Sequence, residues 1–456
     1  MPKPVQKLKF GLLVGAILLA GCGDSRKQSV PLKSAKQPTV SLISYDSALE
    51  YLNAYRNGAQ LKSLKFNDDL ALGAKNHARY CTANEYMGHD ETRGGKNFTG
   101  ANPAERAKFA GYQAASVFEN IAYKEDFTSA IDGLFTAIYH RFAFLSPSVD
   151  EVGYFMAKDE KFSSFVFLMG NSKIENFCKK GLSDGGSGKF YTRVCANEDL
   201  KMRADRLESL TYSSKPYVKF PEGMPVLPYF SGESPDPFPE CKITANPVSI
   251  EFNQNFKNIK MLNFEIYKDS ERLKDLKILD VKNDVNKKFS PQQFAAFSRE
   301  VFDFDAQYQA VFSYERDGVR QDDIKWSFKT KGFSRPYFEA AGGDVLGVDA
   351  DKTYEIFFRP KDCNDVIKRY DYKYPKSLSP DIKQDGTNTL SVNLSGLKGD
   401  SLEILLNNAT LVKVVLTSSS QKALEKRRGY FIKGALIALA AIFAFVMIWR
   451  NFKRFK

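Results

Sequence analysis

Imidazole is the scarcest reactive side chain in this 456-residue chain, which has only His77, His89 and His140, all in one short stretch. Imidazole is the side chain best suited to hold a transition metal or move protons near neutral pH, so chemistry of that kind is confined to this stretch. The run Phe118-Glu119-Asn120-Ile121-Ala122 lies between the second and third histidines and adds a carboxylate. Other reactive patterns are absent from the sequence. There is no glycine-rich phosphate loop followed by lysine, no paired-cysteine zinc spacing and no Gly-x-Ser-x-Gly elbow.

The elements that must position these residues are legible in the spacing of apolar positions. Leu70, Ala74, His77, Ala78 and Cys81 recur at helical intervals, as do Ala48, Leu49 and Leu52 before them. His77 therefore reads as a core-facing helix residue with a satisfied ring nitrogen, and Cys81 as a buried free thiol on the same face. Asn102 is a cap, Pro103 suits a first helical position, Glu105 completes a capping box and Gly111 ends the helix. A further stripe runs through Ile131, Leu134, Phe135 and Ile138. Strand signals follow at 152–156 and 162–168, across a charged turn. Arg106 and Arg141 read as helix anchors.

The order of these motifs resembles the CAP superfamily, also called SCP domains, which covers cysteine-rich secretory, antigen 5 and pathogenesis-related proteins. The residues that carry it are His77, His89, Asn102-Pro103-Ala104-Glu105-Arg106-Ala107, Gly111-Tyr112, Glu119-Asn120-Ile121-Ala122, Tyr139-His140-Arg141, Pro147 and Val152-Gly153. The resemblance implies an α-β-α sandwich over 42–175. It also implies a cleft in which two histidines and two acids converge and can hold a divalent metal. His89 and His140 match the histidines and Glu119 one acid. The second acid, expected in the helix before His140, is missing from 134–137. His89, Glu119 and His140 are thus the expected cleft residues. They are also the candidate ligands for Zn2+, with water in the open position. No catalytic residue is identified.

The two ends point to a membrane. Lys3, Lys7 and Lys9 precede an apolar stretch that closes on Leu19-Ala20-Gly21-Cys22, the pattern of a lipoprotein signal over 1–21 with Cys22 as the lipidated residue. Residues 434–449 are unbroken apolar sequence with basic flanks, which predicts a transmembrane helix over 430–450. The net charge of +12 belongs to these ends: seven basic residues against one acidic in 1–40, and nine against one in 422–456, leave the middle at −2. That distribution excludes a nucleic-acid partner. Asn97-Phe98-Thr99, Asn393-Leu394-Ser395 and Asn408-Ala409-Thr410 match glycosylation acceptors but carry no weight in a bacterial lipoprotein.

The rest of the body divides by composition. Residues 22–41 are expected as a linker. Seven of the 19 prolines fall between Pro216 and Pro239, so 176–240 reads as a disulfide loop followed by a semi-rigid spacer. On that reading 41–200 folds alone and proteases cut first between 205 and 240. Alternating patterns predict an Ig-like β-sandwich over 241–330 and a second β module over 335–418. Cys178 and Cys195 flank a glycine-rich loop and are expected to bridge it. The pairing of Cys241 with Cys363 stays open.

The fold class expected is therefore α+β: a CAP-type sandwich, β modules as a stalk, and a membrane helix. The expected function is non-enzymatic: a bacterial envelope protein held at the membrane, with the body outside the cytoplasm, binding a small apolar ligand or a protein partner in the cleft. Two alternatives remain, a metal-dependent hydrolase of cell-wall or peptide material, and an adhesion scaffold with a vestigial cleft.

Overall fold

The computed structural model describes residues 31–38 and 45–454. The expected signal sequence over 1–21 and Cys22 lie outside the described residues. The N-terminal domain is a four-stranded sheet in the order Lys65–Phe66, Glu151–Lys158, Ser163–Gly170 and Phe118–Ala122, with helices on both faces. Strand Ser163–Gly170 shows why the layers form. Phe165, Phe167 and Met169 pack against Tyr51, Tyr55, Leu134 and Phe135 on one face, while Val166 and Leu168 pack against Leu70, Ala74 and Ala78 on the other. Successive strand side chains point to opposite faces, so one apolar run feeds two cores.

Local chemistry fixes the helices as the sequence predicts. The Asn67 side chain caps helix Asp68–Asn84 by accepting from the Leu70 N–H at 3.0 Å. Asn102 accepts from the Glu105 N–H, and Glu105 reaches back to the Ala101 N–H at 2.9 Å. Gly153 is needed because a Cβ there would lie 1.9 Å from the Ala71 nitrogen. Helix Asp68–Asn84 is thereby pressed onto the sheet.

The proline-rich stretch is not a spacer. Strand Tyr217–Phe220 pairs with Val248–Phe252 of the first β-sandwich, while Val218, Phe220 and Val226 are buried in the core shared with helix Ala48–Gly58. Its prolines sit outside the paired segment, and its apolar residues are too sparse to show a period. Other contacts fasten the same junction. Arg141 donates to the Pro247 carbonyl and to Asn246 Oδ1, both at 2.5 Å. Lys331 donates to Asp132 and to the Tyr51 hydroxyl.

Two β-sandwiches follow. The first packs Ile250, Phe252, Phe264, Phe294, Phe312 and Trp326 between its sheets. The second packs Ile356, Leu390, Val392, Ile404, Val412 and Val414. The expected 22–41 linker contributes a strand to the second one. Leu32–Ser34 pairs in parallel with Val345–Val348, and Lys36 bridges to Tyr337 in the opposite sheet. Disulfides join Cys178 to Cys195 and Cys241 to Cys363, and Cys81 is free and buried. The second bond links the two sandwiches. Helix Gln421–Arg454 ends the described chain. Its stretch from Gln421 to Trp449 is long and apolar enough to cross a membrane, and none of its most apolar window is buried.

Candidate functional site

Two carboxylate–imidazole pairs, His89–Glu119 and His140–Glu233, face each other, and a third, His77–Glu91, adjoins the first. The third starts from helix Asp68–Asn84, which places His77 in the core with no exposed surface. His77 Nδ1 meets Glu91 Oε1 at 2.9 Å, and Nε2 meets the Gly88 carbonyl at 3.0 Å and Cys81 Sγ at 3.5 Å. Burial opposes its ionisation. The contacts with Cys81 and Glu91 and the attraction of Glu119 outweigh it and raise the imidazole to about 9. His77 is thus a core-facing helix residue with both ring nitrogens satisfied, as its helical position predicts.

Glu119, on strand Phe118–Ala122, lies beside it. Both its oxygens accept from Arg106 Nη2 at 2.8 Å, and Oε1 also accepts from His89 Nδ1 at 3.0 Å. Burial pushes this carboxyl up, but the hydrogen bond from His89 and the charges of Arg106 and His77 outweigh it and hold it below the usual range. Arg106 is itself fully buried. It also donates to the His89 carbonyl at 2.7 Å, which fixes the loop that carries that histidine.

The second pair was invisible in the sequence. His140 Nδ1 meets Glu233 Oε2 at 2.8 Å, from 93 residues away in the proline-rich stretch. Glu233 Oε1 accepts from the Ile138 N–H at 2.6 Å, at the start of helix Ile138–Phe144, which has no capping side chain of its own. Burial raises the Glu233 carboxyl above its ordinary value despite these bonds. The second acid expected before His140 is therefore supplied from outside the sandwich domain. A lone glutamate in Ser231-Gly232-Glu233-Ser234-Pro235 offers no spacing from which to find it.

The three predicted cleft residues do come together. The His89 and His140 rings lie 6.0 Å apart and within 26° of parallel. Their side chains are 41% and 13% exposed, against 2% for Glu233. Each ring spends Nδ1 on a buried carboxylate, so each has Nε2 left to meet an outside group. Among the described residues no nucleophile hydrogen-bonds to either ring.

As arranged, these residues do not fit a resident zinc. Glu119 has both oxygens on Arg106, which leaves two imidazole nitrogens where zinc sites use three or four protein ligands. Among the described residues no group of three or more His, Cys, Asp or Glu side chains is placed to hold a metal ion.

Comparison with known proteins bears on the same segment. Residues 49–170 match the profile of the cysteine-rich secretory protein family, CAP. No curated protein matches the chain. Among solved structures, an outer surface protein of Borrelia burgdorferi is 19% identical, with a TM-score of 0.24 over 28% of this chain and 95% of that one. An extracellular SCP-domain protein of Bacillus anthracis is 22% identical, with a TM-score of 0.23 over 27% of this chain. A cysteine-rich secretory protein of Staphylococcus aureus is 21% identical, with a TM-score of 0.21 over 27%. This chain spans 39% and 37% of the length of the latter two. With its motifs, layer order and profile match in agreement, the segment 49–170 is a CAP domain.

Proposed function

We propose that this chain is a non-enzymatic, membrane-anchored envelope protein whose CAP domain binds a small ligand through Nε2 of His89 and Nε2 of His140. One observation carries the reading: each ring is oriented through Nδ1 by a buried carboxylate. Preorganisation of this kind lowers the ordering cost of binding. Among the described residues no side-chain nucleophile hydrogen-bonds to either ring, which favours binding over nucleophilic catalysis. Anchoring rests on the apolar helix and on Cys22, with the body outside the cytoplasm.

The test is mass spectrometry of small molecules that copurify with the full-length protein and with the His89→Ala/His140→Ala variant. A species held by the native protein and missing from the variant is expected. Identical sets in both would overturn the reading. Zinc is the competing occupant, and calorimetric titration separates it. Tight stoichiometric zinc uptake that the double variant loses would replace ligand binding with a metal site.

A further inference from the structure

A second place in the molecule, a cleft that none of the three histidines lines, has the makings of a binding site. Where the CAP domain meets the first sandwich there is a cleft of about 510 Å³, lined by Phe118, Tyr139 and Phe142 on one side and by Glu251, Gln292 and Gln293 on the other. That size suits a small molecule. A neighbouring cleft shares Ser146, Ser148, Glu251, Phe252 and Gln254 with it. Both clefts therefore have Glu251 in their common wall.

Glu251 is incompletely satisfied. Its Oε1 accepts from Gln293 Nε2 at 2.9 Å, while Oε2 is buried with no hydrogen-bond partner. Burial pushes the carboxyl up to about 7, and no ion pair forms on it among the described residues. A buried acceptor without a donor is unfavourable, so a ligand that brings a donor gains by filling the gap. Phe118 at the cleft is 40% exposed, a large ring the fold leaves uncovered.

The lining selects the ligand class. Lys257 and Lys288 also border the main cleft, and their ammonium groups can donate to hydroxyl oxygens. The amides of Gln254, Gln292 and Gln293 both donate and accept, as do the hydroxyls of Ser146 and Ser148. Amides, hydroxyls and an exposed aromatic face together match a ring compound with many hydroxyls and an apolar C–H face.

We infer that the junction cleft binds a saccharide, one hydroxyl donating to Glu251 Oε2 and the sugar face resting on Phe118. The walls are held in place by Arg141, whose bonds to Pro247 and Asn246 cross the junction close by.

The experiment is calorimetric titration of the full-length protein, in a sugar-free detergent, with cellotetraose and with chitotetraose at millimolar concentration. At least one is expected to bind. Glu251→Gln and Phe118→Ala should each weaken it by about tenfold, the effect of losing one good interaction. His89→Ala should leave it unchanged, which separates this site from the imidazole pair. Phe118 is exposed, so its variant keeps the fold and stays informative if Glu251→Gln does not. Absence of binding by both sugars, or equal binding by native protein and both variants, would overturn the inference.

Discussion

At the scale of single residues, the CAP domain is built around an internal charge knot. His77, Glu91, Arg106 and Glu119 are all essentially buried and contact one another. Two cations and two carboxylates leave it electrically balanced, which is the condition under which buried charges are tolerated. His77 is the member that titrates within reach. Its imidazole is raised from 6.5 to about 9 on folding, so its contribution is complete below pH 6.5 and is lost as pH rises through about 9. The contribution is on the order of 3 kcal/mol. The native protein should therefore lose more urea resistance between pH 6 and pH 10 than His77→Gln does, and equal losses would show that His77 is neutral in the fold.

Glu233 supports a second prediction at this scale. It orients His140 and takes the place of a cap for helix Ile138–Phe144. Glu233→Ala should cost about 1–3 kcal/mol in thermal unfolding by leaving buried donors unpaired. It should also change the imidazole nitrogen shifts of His140 but not of His77. Glu233→Gln keeps an acceptor and should cost less. Position explains what was legible here. The role of His77 follows from helical spacing, and His89, Glu119 and His140 follow from motif order. Glu233 acts across 93 residues from a segment without periodicity, and no local pattern encodes such a contact.

At the scale of elements, strand Tyr217–Phe220 decides where the domains end. Its backbone belongs to the sandwich through pairing with Val248–Phe252, and its Val218 and Phe220 side chains belong to the CAP core. A fragment ending at residue 200 would expose the Tyr55 and Phe135 surface that Phe220 covers. Fragment 45–200 should accordingly unfold at a lower temperature than 45–330, or aggregate, when the two are compared by circular dichroism. Native protein should likewise resist early proteolysis in 216–240. A first cut there would restore the spacer predicted from proline content. The helices and sandwich strands were readable because amphipathic periods repeat within each element. The seam was not, since an element shared by two cores shows the pattern of neither.

At the scale of the whole molecule, the two ends of the chain return to one module. Strand Leu32–Ser34 lies beside Val345–Val348, which lies beside Thr410–Leu416, the strand that leads into helix Gln421–Arg454. Two strand spacings, about 10 Å, separate the N-terminal strand from the one that enters the helix. Ten residues join Cys22 to Leu32, and a chain of that length reaches at most about 36 Å. A lipid on Cys22 and the apolar helix can therefore hold the same membrane, with the second sandwich nearest to it. A spanning helix holds far more firmly than acyl chains, so the two proposed anchors should be separable by mutation. Cys22→Ala alone should still fractionate with membranes through 430–449. Truncation after Ser420 should leave the Cys22 protein attached by its lipid and release only the Cys22→Ala form. If Cys22→Ala with an intact C-terminus is found in the soluble fraction, the apolar helix is not a membrane span and the exposed surface of Leu436, Ile437, Phe443 and Phe445 must be covered by protein instead.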